Sequence, residues 1–294
     1  MSQFKIVLVL GFGLVVLSFA SILIKLTQAP SIVIAAGRLT IASLVLTPFF
    51  WTKFPKIQLE LRRVKLSLIF LSGLFLALHF FFWIESLSHT SVPSSVALVT
   101  TNPIFVAILS PIILKERITF RIGLAVNLGA IGSIIITSQG LNSLIMTKGN
   151  LLALAGAVCA GGYMIVGRRI RPHISLISYI YIMYTTAAIL LLLGILITGQ
   201  RLIGYSWQAY LFIILLALGP QLIGHTSFNW ALGYLTAPVV AMTILGEPIG
   251  TTILSWLILN QPPTMREITG GVIIGIGIYL AASSERRKIY PDFT

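Results

Sequence analysis

The sequence predicts an all-α integral membrane protein with ten transmembrane helices, set out as two inverted five-helix repeats. Three observations predict it. First, 57% of the 294 residues are apolar and only 9% are charged, against roughly 25% charged in an average soluble domain. A soluble chain of this length would lack the polar coat its surface needs, and the mean hydropathy of +0.99 agrees. A soluble enzyme, a disordered chain and a disulfide-rich secreted module are poor readings. Second, uncharged runs recur at the length of about 20 residues that a ~30 Å hydrocarbon core requires. Third, features of the first half return in the second at a constant spacing. Cys159 is the single cysteine, which excludes an intrachain disulfide and a cysteine-cluster metal site and leaves a small packing residue.

The spans follow in order from the uncharged runs. The first covers residues 6–24, and the second 32–51, interrupted only by Arg38. The third is 66–84 and the fourth 92–114; the fifth starts near Ile122, the sixth is 149–167 and the seventh starts at Ile174. Residues 202–246 then run without a charge. As one helix this stretch would be about 68 Å long, far beyond one bilayer core. It must turn, and Gly233-Tyr234-Leu235-Thr236 is the place, which makes spans eight and nine. The tenth is 268–284. The chain divides into a first repeat, residues 1–146, and a second, residues 147–294.

Lys and Arg set the orientation, because short cytoplasmic loops carry the excess of positive charge. The net charge is +13. With the N-terminus inside, the inner segments hold Lys5, the Lys53–Lys65 group, Lys115, Arg117, Arg121, Arg168, Arg169, Arg171, Arg286, Arg287 and Lys288, while the outer loops hold Lys148, Arg201 and Arg266. The expectation is a plasma membrane protein (a bacterial inner membrane) with both termini cytoplasmic. The start, Lys5 with Ser18-Phe19-Ala20 after an apolar run, imitates a signal peptide. Its removal would leave nine helices and reverse the charge match. The basic residues border helices and are not interleaved with aromatics, so nucleic acid is not an expected partner.

The repeat rests on shared offsets. Pro93 and Pro238, Asn102-Pro103 and Glu247-Pro248, Thr119 and Thr264, Arg121 and Arg266, and Gly132 and Gly277 are each 145 apart, and His79 and His225 are 146 apart. Five spans per repeat is an odd number, so the halves enter the membrane from opposite sides, a transporter signature. Two similar halves in opposite orientation can exchange conformations and bring inward-open and outward-open states close in energy.

Several pieces carry a family resemblance. They are Ser18-Phe19-Ala20-Ser21 with Lys25, Arg38, Thr90-Ser91-Val92-Pro93, Asn102-Pro103 ahead of Lys115-Glu116-Arg117, Gly246-Glu247-Pro248, and Gly270-Gly271 with Gly275 and Gly277. Together the chain resembles the EamA-type transporters of the drug/metabolite transporter superfamily over essentially its whole length. The resemblance implies ten helices, a central cavity between halves, and export or exchange of small organic metabolites. These motifs are mostly packing and hinge positions, so they speak to fold more than to substrate. One departure is Leu259-Asn260-Gln261, where the family often has a glycine-glutamate pair; a charge-dependent role is not carried over to that spot.

Ionised residues inside a bilayer cost about 2.5–3.5 kcal/mol each on insertion scales, so they face a cavity or a partner. Lys25, Arg38 and Glu85 are expected near the outer side. They are either snorkelling interfacial groups or one charge cluster, with Glu85 paired to Lys25 or Arg38, that gates the path or orients an anionic substrate group. His79 and Trp83 on span three, and Gln221, His225 and Asn229 on span eight, share the i, i+4 spacing of one helix face. Both faces are expected to look into the cavity, with Phe80, Phe81 and Phe82 as lipid or packing contacts. Asn102 on span four and Glu247 on span nine are repeat equivalents, and Glu247 is a candidate proton carrier or fixed charge. Pro103 and Pro248 remove a backbone donor and are the expected hinges. Tyr163, after the small residues Gly156, Ala160, Gly161 and Gly162, could also reach the cavity. Ala125-x-x-x-Gly129-x-x-x-Ser133 and Gly271-x-x-x-Gly275 read as close-packing seams, against each other or between protomers.

No Walker A, His-Glu-x-x-His, Gly-x-Ser-x-Gly or paired-carboxylate pattern occurs, so no catalytic residue, metal or cofactor is expected. The expected partners are a small-molecule substrate, protons as a candidate co-substrate, and the bilayer, for a monomer or homodimer. The favoured function is a secondary or facilitative transporter working by alternating access. Amino acids are the first substrate class, since paired histidines and Trp83 suit a zwitterion with an apolar or aromatic part, and export follows the resemblance. Purines, nucleotide sugars or drugs as substrates, a channel, and a membrane-embedded lipid-modifying enzyme are the alternatives.

Overall fold

The computed structural model describes residues 3–137, 147–260 and 262–284. Arg286, Arg287, Lys288, Gln261 and the repeat junction at 146 lie outside the described residues. Nine helices among the described residues are long and apolar enough to cross a membrane, and the shorter apolar helix Phe120–Ile136 makes the tenth.

The order follows the sequence reading, with breaks it did not foresee. Span one is α1 (Gln3–Leu17) and α2 (Ala20–Leu26), interrupted where the Ser18 hydroxyl donates back to the Leu14 carbonyl at 2.9 Å. Span two is α3 (Ser31–Thr52). A short helix, α4 (Phe54–Leu61), follows at the surface and buries little but Ile57. Span three is α5 (Leu66–Ser86), and span four is α6 (Val92–Val99), α7 (Asn102–Leu109) and a π turn at Ser110–Leu114. Span five is α8 (Phe120–Thr137), span six α9 (Lys148–Ile170), and span seven α10 (Leu176–Thr198). Span eight is α11 (Trp207–Leu216), a π segment at Ala217–His225, and α12 (Thr226–Ala231). Span nine is α13 (Ala237–Ile244) and α14 (Glu247–Leu259), and span ten is α15 (Met265–Ser283). The chain turns between Ala231 and Ala237, at the Gly233–Thr236 stretch that sequence length demanded.

Local chemistry sets the helix ends. Thr147, Ser175 and Ser206 accept the N–H three residues on and start α9, α10 and α11. Thr264 and Glu267 exchange side-chain and backbone hydrogen bonds in a capping box that opens α15, so two orphan donors are satisfied at once. Gly199, at φ +64°, closes α10.

The packing has an internal symmetry. Span three packs on six as eight packs on one, and three on seven as eight on two. Four packs on six as nine on one, and four on five as nine on ten. The pairs two–seven, four–nine and five–ten map onto themselves. Exchanging the halves thus maps these contacts onto one another, as a pseudo-two-fold axis between them requires. The backbone repeats too: Lys115 (φ 57°) and Asn260 (φ 53°) are the only non-glycine residues with positive φ among those described, and they occupy equivalent positions after spans four and nine.

Spans five and ten meet through glycines, on a seam shifted from the expected one. A Cβ on Gly132 would lie 2.7 Å from the Gly270 carbonyl oxygen, and one on Gly270 would lie 2.6 Å from that of Gly132. A Cβ on Gly277 would lie 2.9 Å from the Ala125 carbonyl oxygen. Gly275 has nothing within 4 Å, and Gly271 meets only Ile249 at 3.6 Å. The Gly271/Gly275 face therefore does not form the five–ten contact; the Gly270/Gly277 face does. Helix rotation, which a spacing rule leaves open, decides between them.

The surface helix α4 is tied in by one carboxylate. The Ser175 N–H donates to Glu60 Oε2 at 2.9 Å and the Ser178 hydroxyl at 2.6 Å. Partial burial disfavours the charged carboxylate, but the hydrogen bonds from Ser178 and Ser175 outweigh it and hold its pKa below the ordinary carboxylate value. A group whose folded pKa is depressed contributes stability above its unfolded pKa and loses it as pH falls through the folded value. In detergent, the melting temperature of Glu60→Gln should therefore lie below that of wild type at neutral pH. The gap should close as the pH drops below about 4. A gap that persists unchanged at acid pH would assign the effect to packing.

Candidate functional site

One narrow cavity opens at the junction of the halves. Its walls are His79 and Trp83 of span three, Val99, Thr100 and Asn102 of span four, Ala160 and Tyr163 of span six, His225 of span eight, and Ile244 and Glu247 of span nine. Six of the eight substrate-contact candidates read from the sequence stand here together. They include both repeat-related pairs, His79 with His225 and Asn102 with Glu247. As folded, the space between the walls admits water and not a metabolite.

The prolines shape two of these walls. Spans four and nine do not bend smoothly; each stops and restarts. Asn102-Pro103 and Glu247-Pro248 stand in the first turns of α7 and α14, where proline's missing N–H costs least. Pro103 and Pro248 have no N–H to offer the carbonyls of Val99 and Ile244 one turn earlier, and both of these residues line the cavity. Thr100 and Thr101 donate their hydroxyls to the carbonyls of Val96 and Leu98 at 2.8 and 2.6 Å, which stabilises the break.

The two histidines differ in their partners. His79 Nδ1 lies 3.0 Å from the Gly156 carbonyl oxygen; a carbonyl only accepts, so Nδ1 carries the proton and Nε2 is left to the cavity. The His79 ring stacks on Trp83 at 5.9 Å and meets His225 edge-on at 6.2 Å. Among the described residues, neither ring nitrogen of His225 has a hydrogen-bond partner, nor do Trp83 Nε1, Asn102 Oδ1 and Glu247 Oε1. Buried polar atoms without partners are costly. Here they converge on one space, from both repeats.

Two of the expected cavity residues are elsewhere. Gln221 and Asn229 do not line the cavity. Gln221 is fully buried, and both its side-chain polar atoms are without a partner among the described residues. The Asn229 side-chain amide donates from Nδ2 to the His225 carbonyl at 2.9 Å, and the Asn229 backbone carbonyl accepts from Arg171 at 3.0 Å. The cause for Gln221 is the π segment. Its i→i+5 bonding widens each turn, so residues four apart no longer stand on one stripe.

The expected outer charge cluster is also not formed as a unit. Glu85 pairs with His89 at 3.1 Å. Lys25 donates its ammonium to the Leu87 carbonyl at 3.1 Å, from an exposed position. Arg38 goes inward: it is 0% exposed, its guanidinium carbon lies 4.1 Å from the Phe80 ring centroid, and its three side-chain nitrogens have no hydrogen-bond partner among the described residues. It lies within electrostatic reach of Glu247, Tyr163 and Tyr184. The Phe80 ring thus serves as a cation–π support and does not face lipid.

Comparison with known proteins decides the family. The profile of the EamA-like transporter family matches residues 4–138 and again 147–283. The chain belongs to this family. It is 26% identical over 212 residues to the uncharacterized transporter YdfC of Bacillus subtilis, covering 71% of this chain and 69% of that one. It is 25% identical over 263 residues to the uncharacterized transporter YyaM of the same organism, covering 86% and 84%. An uncharacterized transporter of Archaeoglobus fulgidus is 26% identical over 273 residues, covering 90% and 93%. A solved crystal structure matches with a TM-score of 0.75 over 95% of this chain and 97% of that one, at 16% identity, a likeness of fold. The protein is thus an EamA-like multi-pass membrane transporter.

Sequence reasoning missed a second polar centre of this EamA-like chain, at its basic end. Glu116, after span four, pairs with Arg168 at the end of α9 at 2.6 Å, with side chains 10% and 7% exposed. Its other oxygen accepts the Ala237 N–H at 3.1 Å, at the start of α13. Arg168 also donates to the Leu232 carbonyl at 3.0 Å, and Arg171 donates to the carbonyls of Asn229 and Ile174. One carboxylate and two arginines thereby join spans four, six, eight and nine. The signals in the sequence were that Glu116 is a rare acid among basic residues and that it belongs to the Lys115-Glu116-Arg117 piece of the family resemblance.

Proposed function

We propose that this protein is a secondary transporter that moves amino acids across the bacterial inner membrane by alternating access, in the export direction, with both termini cytoplasmic. The observation that carries the reading is the cavity on the pseudo-two-fold axis, where unpartnered polar atoms from equivalent positions of both halves converge. Paired histidines and Trp83 offer an aromatic wall to an apolar or aromatic side chain. Glu247 offers a carboxylate to an ammonium group or to a proton. The breaks at Pro103 and Pro248 are the hinges about which the walls separate. Glu247 is the one carboxylate in the lining of this cavity, and paired acid–base chemistry needs two.

Counterflow in proteoliposomes tests this. Labelled amino acids should enter faster when unlabelled amino acid is preloaded, which a channel would not show. Glu247→Gln should lower exchange by about ten-fold or more, the loss of a charge-assisted hydrogen bond. If Glu247 carries the coupling proton, a pH gradient should drive wild-type uptake and leave Glu247→Gln unaffected. Exchange confined to purines or nucleotide sugars would sink the amino-acid reading, and turnover of a lipid without substrate movement would sink the transporter reading.

A further inference from the structure

We propose that Arg38 is the specificity-determining receptor for a carboxylate on the substrate, so that the transporter selects amino acids with a free carboxyl group over their amides, esters and amines. This rests on the amino-acid reading above and names the group that the site recognises.

Arg38 lies seven residues into α3, about 10 Å from its start, and it is fully buried. Its Nε, Nη1 and Nη2 are all without a hydrogen-bond partner, and no carboxylate oxygen lies within 4.0 Å of them among the described residues. An ion held away from water costs several kcal/mol unless a counter-charge and hydrogen bonds compensate. A permanent structural arginine would have those partners built in, as Arg168 does with Glu116 and the Leu232 carbonyl. Arg38 has instead a ring. Phe80 lies 4.1 Å from its guanidinium carbon. A ring against one face of the guanidinium orients the plane and leaves the N–H edge without protein acceptors. That edge is a rigid fork matched to two carboxylate oxygens.

The location fits. Phe80 stands edge-on to the cavity residue His225 at 5.0 Å, so the arginine is one ring removed from the cavity. It lies within electrostatic range of the lining residue Glu247. Glu247 is 4% exposed and its Oε1 has no partner. No ion pair within 4.0 Å joins Arg38 to Glu247 among the described residues. A zwitterion carries a group for each, its carboxylate for Arg38 and its ammonium for Glu247. A neutral base or a simple amine would satisfy only one end.

The test is competition in counterflow. An amino acid that exchanges is compared with its amide, its methyl ester and its decarboxylated amine, in wild type, Arg38→Lys, Arg38→Gln and Arg38→Gln/Glu247→Gln. Wild type should hold the free acid at least about ten-fold more tightly than the amide or ester, the scale of a charge-assisted pair. Arg38→Gln should weaken the acid by about 10–100-fold and leave the amide and ester unchanged. Arg38→Lys, a point charge without the fork, should keep part of the discrimination, and it carries the test should Arg38→Gln fail to fold. Three results would overturn the proposal: wild type that does not discriminate acid from ester, an Arg38→Gln effect equal on all four compounds, or recovery of acid exchange in the double variant, which would show that Arg38 only balances Glu247. Wild-type exchange of amino acids without discrimination defeats this proposal alone. Absence of any amino-acid exchange defeats the underlying reading, and this proposal with it.

Discussion

Replacing Glu116 by glutamine should destabilise the folded protein by roughly 3–5 kcal/mol, the cost of removing one partner from a buried ion pair. The amide can still accept the Ala237 N–H, but it cannot supply the charge that faces Arg168 at 2.6 Å. The measurement is thermal unfolding in detergent, with Arg168→Lys alongside. Lysine keeps a charge opposite Glu116 but cannot reproduce both the Glu116 contact and the bond to the Leu232 carbonyl, so its loss should be smaller than that of Glu116→Gln. Exchanging the two residues should rescue little, because arginine at 116 has no acceptor for Ala237. An unchanged melting temperature in Glu116→Gln would place the pair among exposed salt bridges, which contribute about 0–1 kcal/mol.

Gly132→Val should be strongly damaging where spans five and ten meet. Its Cβ would meet the Gly270 carbonyl oxygen and Ile274 Cγ1 at 2.7 Å each. The carbonyl is backbone and cannot rotate away, so spans five and ten must separate. The expected loss is about 3 kcal/mol, the upper part of the usual range for overpacking. Gly275→Ala is the control on the other face of α15, where nothing lies within 4 Å, and its effect should stay within about 0.5 kcal/mol. Equal effects at both positions would show that the seam does not lie where the structure puts it.

What was legible in the sequence is what depends on one dimension. Charges are excluded from the bilayer, so the ten spans could be marked from their absence. An offset of 145 residues put Asn102 opposite Glu247, and one of 146 put His79 opposite His225. What depends on rotation was not legible. Arg38 could be placed along α3 but not around it, and rotation took it from the outer cluster to the centre. Gln221 was assigned by α-helical spacing, which the π segment at Ala217–His225 invalidates. The seam of α15 was read one residue away from Gly270. The short helix α4 carries a single fully buried residue, Ile57, and so has little apolar signature. The Glu116–Arg168 pair joins positions 52 residues apart, a separation that only the tertiary fold can close.

If the cavity's two sides were chemically identical, swapping the halves would leave the energy unchanged, and the two facing forms would be degenerate. Several side chains break that degeneracy. Where the first half presents the amide of Asn102, the second presents the acid of Glu247, and neither Trp83 nor Tyr163 is matched by a like residue in the lining. The exchange of conformations proposed above would therefore connect two states of unequal energy.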